Sequence, residues 1–356
     1  MKRFSLVLFL VVSTAAAAAP RRRAGAPYLF PPCSMIAGTP AVTFTLNSGA
    51  TLAPTAERLS GIGYTYGLAA LDASTLLSWH KDTLSLSTDS GCSWRPLGQW
   101  QTDFPPTITA ARGGRAFAWS DNRQFLLRYD ARGPQVLKAP AVIVGLGTDP
   151  QNGDRLRAGD AEGGLWESTD GGDSWASIGR LPREATSLIY RFSFDPRDLD
   201  HIVAGTAVSG AFVTFDGGRN WSRTSLADNF NVMNFAMSPI DTSVVWAMAV
   251  DLRTSDHSIY RSTDGGRTFS KVVTESAEVS IINGPVMAAY PGDANVLYFV
   301  FGTRFQGYGT DLFRYDAATK TLTKTHNANH DVNAIAFSPA DPTVMYLGLE
   351  IEEGVF

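Results

Sequence analysis

An eight-residue pattern that occurs four times constrains this chain more than any other feature: STDSGCSW at 87–94, STDGGDSW at 168–175, TFDGGRNW at 214–221 and STDGGRTF at 262–269. Each copy reads hydroxyl, any residue, Asp, any, Gly, any, any, aromatic. Turn chemistry accounts for these residue types. A short carboxylate and a hydroxyl bond to the backbone of their own turn, glycine supplies positive φ, and the ring folds back beneath the loop. Each copy also follows a short β-rich segment, such as AFVTF before Asp216 or HSIYRST before Asp264.

The four aspartates, Asp89, Asp170, Asp216 and Asp264, are 81, 46 and 48 residues apart. The first gap is two units long, with Asp130 in FLLRYDARG at its midpoint, and Asp316 in LFRYDAATK continues the series 52 residues after Asp264. A second signature precedes each hairpin. Segments 192–206, 236–248, 288–300 and 336–348 each hold an apolar strand, a turn with Pro or Asp and another apolar strand, with weaker relatives at 145–158 and 68–78. Four short strands per 40 to 52 residues describe a propeller blade. The first strands carry Gly and Ala, as in YGLAAL and VIVGLG, which suits crowding around a central channel.

The expected fold is therefore all-β, a single β-propeller of four-stranded antiparallel blades, with seven blades and no helix beyond single turns after residue 30. Six units are complete. The seventh begins at Val332 and stops at EEGVF, before its hairpin. Either the sequence is truncated there, or the segment 41–46 supplies the missing outer strand and closes the ring, removing edges that invite aggregation.

Met1, Lys2 and Arg3, an apolar run over 4–12, then Ser13, Thr14 and five alanines read as a secretory signal peptide, cut after Ala18. The run is too short to anchor the chain across a bilayer, and no other run is long enough to cross. The expected layout is a signal peptide at 1–18, an extension at 19–40 and the propeller at 41–356, secreted or periplasmic. Export places Cys33 and Cys92 where disulfides persist. Pairing them would close a loop worth about 4 kcal/mol by chain entropy; two unpaired thiols are the alternative. An apolar content of 44% excludes disorder, and a net charge of -4 excludes a phosphate-tracking nucleic-acid binder.

The repeated pattern resembles the Asp-box, or BNR, repeats of the sialidase-like propellers, and through its period the resemblance covers essentially all of the chain after the leader. That superfamily includes sialidases, xyloglucan-active glycoside hydrolases, the sorting-receptor ectodomain propeller and a photosystem assembly factor. The resemblance implies that the boxes lie between third and fourth strands, on the rim away from the substrate face. It assigns Asp89, Gly91 and Trp94, then Asp170, Gly172 and Trp175, Asp216, Gly218 and Trp221, and Asp264, Gly266 and Phe269 to structural boxes whose rings wedge between sheets. One carboxylate per loop is far short of the six to eight oxygens that calcium takes.

A sialidase would carry an arginine triad whose first member lies in an aromatic-Arg-Ile-Pro motif. No Arg-Ile-Pro occurs, and 59–66 holds no arginine after Arg58. Another glycosidase would need two carboxylates about 5 to 10 Å apart. The loops supply acids such as Asp82, Asp121, Glu162, Glu184 and Glu275, but no pairing is legible. Gly-x-Ser-x-Gly, His-Glu-x-x-His and a phosphate-cradling loop are absent. His326, His330 and Asp331 read as a solvated turn rather than a metal site, because His-x-x-x-His shares a face only on a helix. No cofactor and no metal are expected. Two readings stay open: a secreted, monomeric, non-catalytic propeller that binds an extracellular protein or glycan, and a divergent glycoside hydrolase. The longest loops, in blades four to six, nominate Asn229, Phe230, Asn231, Arg253, His257, Arg304 and Tyr308 as ligand contacts, since Arg and aromatic residues dominate binding energetics.

Overall fold

Short apolar strands separated by Gly, Asp and Pro turns pair with their neighbours in the chain, because a tight turn returns the next strand antiparallel. The computed structural model describes residues 30–38, 41–56, 67–102, 106–185, 188–281, 286–302, 310–327 and 331–350. These form six four-stranded antiparallel sheets and one three-stranded sheet. Blades 1 to 6 occupy 67–99, 107–137, 143–180, 189–223, 230–274 and 287–327, with strand order following chain order. Their inner strands are Gly67–Ala70, Thr107–Ala111, Ile143–Thr148, Ile189–Asp195, Phe230–Met237 and Met287–Ala289. Apart from a single 3-10 turn at Arg183–Ala185, the described residues hold no helix.

Blade 7 joins the two ends of the chain. Asp331–Phe337 is its inner strand, Met345–Glu350 its second, and the N-terminal strand Val42–Thr45 its third. Val42 faces Gly348 and Thr45 faces Met345 in antiparallel register. Of the two outcomes left open by the sequence, the N-terminal segment thus closes the ring. Cys33 and Cys92 form a disulfide with Cα atoms 5.7 Å apart. Beside it, the Ala37 N–H donates to the Cys92 carbonyl at 2.8 Å and the Trp94 N–H to the Ala37 carbonyl at 3.1 Å. The N-terminal segment is therefore fastened to blade 1 while its strand belongs to blade 7. The expected signal peptide at 1–18 lies outside the described residues. No helix among them is long and apolar enough to cross a membrane.

The core is divided among seams. Seven apolar clusters each fill the gap between adjacent blades. Between blades 4 and 5, for example, Val203 and Val213 meet Phe235 and Val245; between blades 7 and 1, Ile36 and Tyr346 meet Leu76 and Trp94. Near the axis, backbone approaches too closely for side chains. A Cβ on Gly145 would stand 2.0 Å from the Phe192 carbonyl oxygen, so that strand is readable as glycine-bearing for a packing reason.

Candidate ligand face and axial cavity

Antiparallel blades divide their connections between two faces. The turns joining first to second and third to fourth strands lie on one face. The second-to-third loops and the connections between blades lie on the other, called here the loop face. All four full boxes join third to fourth strands.

Each box spends its polar atoms on itself. The first hydroxyl donates to the aspartate: Ser87 to Asp89 at 2.9 Å, Ser168 to Asp170 at 2.8 Å, Thr214 to Asp216 at 2.8 Å and Ser262 to Asp264 at 2.7 Å. The same hydroxyl oxygens accept from the N–H of Gly91, Gly172, Gly218 and Gly266. The second carboxylate oxygen accepts from the side chain at the seventh position, Ser93, Ser174, Asn220 or Thr268, at 2.5 to 2.7 Å. Hydrogen bonds led by Ser174 and by the Asn220 backbone hold Asp170 and Asp216 down at about 2. Trp94 and Trp175 donate from Nε1 to the carbonyls of Gly91 and Gly172, and the rings of Trp94, Trp175, Trp221 and Phe269 sit in the seam with the preceding blade.

A fifth box completes blade 7. Thr45 donates to Asn47 Oδ1 at 3.0 Å, the Gly49 N–H donates to Thr45 at 3.0 Å, and the Thr51 N–H donates to Asn47 Oδ1 at 2.9 Å. Ser48 and Gly49 adopt φ of 56° and 89°, matching 60° and 85° at Ser90 and Gly91.

On the loop face, Asn229, Phe230, Asn231 and Arg253 come together at the entry to blade 5. Phe230 is only 9% exposed and packs edge-on against Tyr260, with Arg253 over its ring at 5.4 Å, so it supports the cluster from below. Arg253 donates twice to Asp251, at 2.9 and 2.8 Å, and thereby holds that carboxyl down at about 2. Asn231 accepts from the Val208 N–H at 2.9 Å. His257 stands on the neighbouring strand Asp256–Ser262 with Nδ1 3.1 Å from Glu275. Arg304 and Tyr308 lie outside the described residues, as does His330. His326 pairs with Asp311 at 2.7 Å, and no metal-ligating cluster occurs among the described residues.

The same cluster frames an apolar row. Backbone bonds of 2.8 Å run from Ala207 to Leu188, from Asn229 to Val208 and from Leu252 to Asn229, tying four loops in series. Leu188, Val208 and Leu252 are 62%, 52% and 40% exposed. Val208 sits at φ 62°, a costly conformation for a β-branched residue.

At the axis lies a cavity of about 530 Å³ lined by the inner strands of six blades and by Asp121 from the loop face. Its shape comes from β-bulges. Strand register breaks between Ile143 and Gly145, Ile189 and Arg191, Val232 and Asn234, and Val332 and Ala334, each inserting one extra residue in an inner strand. Three of the extra residues, Tyr190, Met233 and Asn333, line the cavity. Arg191 follows one of them and lies over the Trp119 ring at 5.3 Å. Burial works against its positive charge and Asp121 works for it.

Comparison with known proteins bears on this architecture. Residues 163–307 match the Sortilin-Vps10 family, described as sortilin, neurotensin receptor 3. The dispase autolysis-inducing protein of Streptomyces mobaraensis is 47% identical over 334 residues, covering 90% of this chain and 89% of that protein. The chain belongs to the dispase autolysis-inducing protein family. Solved structures share the fold of this family member: an ancestral GH74 enzyme at TM-score 0.60 and 15% identity over 87% of this chain, and YCF48 from Cyanidioschyzon merolae at 0.57 and 12% over 82%. The chain spans 45% of that GH74 enzyme, 51% of the GH74 xyloglucanase from Xanthomonas campestris and 97% of YCF48. At such identities the likeness shows the fold alone.

Sequence reading had missed several features of this family member. The bulge residues carry a signal, since Tyr190, Met233 and Asn333 each stand six residues before a proline, Pro196, Pro239 and Pro339. The fifth box also carries one, in the hydroxyl of Thr51 at the seventh position.

Proposed function

We propose that this protein is a secreted, non-catalytic propeller that binds an extracellular protein across its loop face, at blades 4 and 5. The partner class is a protease, on the strength of the name borne by the Streptomyces mobaraensis relative, and binding promotes that partner's self-cleavage. The observation that carries the reading is the set of Leu188, Val208 and Leu252, three exposed apolar residues on loops that backbone hydrogen bonds tie to one another through Ala207 and Asn229. Single exposed apolar residues are ordinary on a soluble surface; a contiguous row framed by polar groups marks an interaction site. Asn229, Asn231, Arg253 and His257 supply its polar rim, and Arg304 and Tyr308 are proposed as further contacts. The acids nearest the row favour binding over hydrolysis, since Asp251 is committed to Arg253 and Asp228 to Arg223. The chain acts as a monomer, without cofactor, after removal of residues 1–18.

The test is a titration of the purified protein against dispase, by calorimetry and by the rate at which intact protease disappears. Val208→Asp combined with Leu252→Asp should weaken binding at least tenfold, about 1.4 kcal/mol, with the melting temperature preserved, and should slow the self-cleavage. Binding that survives this pair, or release of sugar from a panel of fluorogenic glycosides, would overturn the reading.

A further inference from the structure

The axial cavity is separate from the apolar row and stands independently of the function proposed above. Four features make it a built site. Its size, about 530 Å³, falls in the range of small-molecule pockets. Bulges in the inner strands of blades 4, 5 and 7 turn Tyr190, Met233 and Asn333 toward it, and bulges recur where a fold re-aims side chains for function. Among the described residues the guanidinium of Arg191, which also lines the cavity, makes no side-chain hydrogen bond or ion pair, and it lies over the face of Trp119. Finally, Asp121 lines the same cavity, acting on Arg191 through its field without forming an ion pair with it.

Opposite charges that share a cavity yet remain apart specify a ligand with both signs. A simple anion would gain Arg191 and meet repulsion from Asp121, while a simple cation would meet the reverse. A molecule carrying an ammonium beside a carboxylate satisfies both, and a planar guanidinium holds a carboxylate through two parallel N–H donors. Leu68, Ile108, Met287 and Ile335 line the cavity beside Thr107 and Asn234, so an aliphatic side chain of the ligand finds apolar contacts within a lining that is polar as a whole. We propose that the axial cavity binds a small zwitterion, a free α-amino acid or short peptide, with its carboxylate on Arg191 and its ammonium toward Asp121. A terminus of a folded partner offers only one of the two charges and is disfavoured.

The experiment uses the full-length exported protein and four probes: leucine, Ala-Leu, N-acetyl-Ala-Leu and Ala-Leu amide, followed by saturation-transfer NMR and calorimetry at millimolar concentration. Leucine or Ala-Leu should bind saturably, and blocking either end of Ala-Leu should weaken it at least tenfold. Arg191→Gln should remove the preference for the free carboxylate, so that Ala-Leu and its amide bind alike. Asp121→Asn, on an exposed loop position, should remove the preference for the free ammonium and carries the test if Arg191→Gln fails to fold. The proposal falls if neither leucine nor Ala-Leu binds, if the blocked peptides bind as tightly as the free one, or if both folded variants retain both preferences.

Discussion

Asn47 stands where the four full boxes carry aspartate; its Oδ1 accepts from the Thr45 hydroxyl and the Thr51 N–H as theirs does, while its Nδ2 donates to the Thr51 hydroxyl, the reverse of the bond in the full boxes. A carboxylate there would make the two bonds that Oδ1 accepts charge-assisted, roughly twice as strong, and would accept from the Thr51 hydroxyl in place of the bond Nδ2 now donates. Asn47→Asp should therefore raise stability by about 1 kcal/mol at neutral pH, measured by denaturant unfolding. Asp216→Ala should do the opposite, costing about 1 to 3 kcal/mol because the Asn220 N–H and side chain and the Thr214 hydroxyl lose their acceptor. If that variant keeps its melting temperature while losing partner binding, the boxes are functional groups rather than turn locks. The full boxes were legible because residue type alone dictates their turn. The fifth was not, because it has Asn47 and Leu52 where the repeated pattern carries Asp and an aromatic ring. What the geometry requires is an acceptor oxygen at the third position, a left-handed pair after it and a donor at the seventh.

Among the elements, the second-to-third loop of blade 4 stores strain at its tip. Val208 is held at φ 62° by the Asn229 N–H on its carbonyl and by Asn231 on its own N–H. Asparagine tolerates this conformation and valine does not. Val208→Asn should raise stability by about 1 kcal/mol while weakening protein binding at least tenfold, and a gain in both would show that the tip is not a contact. The strands themselves were readable from alternation and turn residues, but glycine marks only the inner strands of blades 1 and 3, and Ile189–Asp195 of blade 4 carries neither glycine nor alanine. The bulges were not, since a bulge is a relation between two strands: nothing in IYRFSF alone says that Tyr190 lacks a partner across Asp198–Thr206. For the same reason Arg191 was absent from the nominated contacts, which were chosen by loop length. Phe230 was chosen by residue type and turned out to be buried against Tyr260.

For the whole molecule, the period of the repeat was enough to number the blades, while the way the ring closes needed the pairing of Val42–Thr45 with Met345–Glu350. Acid should loosen the ring in two stages. Burial, aided by Lys81, pushes His80 down to about 4 from 6.5, so the unfolded chain takes up that proton first and stability falls as pH drops from about 6.5 to 4. Asp170, Asp216 and Asp251, held at about 2 against 3.8, contribute stability above pH 4 that is lost as pH falls toward 2. Melting temperature against pH should show both slopes, and His80→Gln should flatten the upper one alone. Replacing both cysteines with serine should cost about 4 kcal/mol at any pH, read from the unfolding midpoint. The closing strand has a further consequence, in time rather than in energy. Val42 and its partner Gly348 are 306 residues apart, so the first of these two strands to be made must wait for six blades before the other exists. Until then the nascent chain carries an open edge at each end, and long-range pairing of this kind is slow to form. The bond from Cys33 to Cys92 spans only 59 residues and can be made as soon as blade 1 exists. It would moor the early strand beside the place where the late one must arrive.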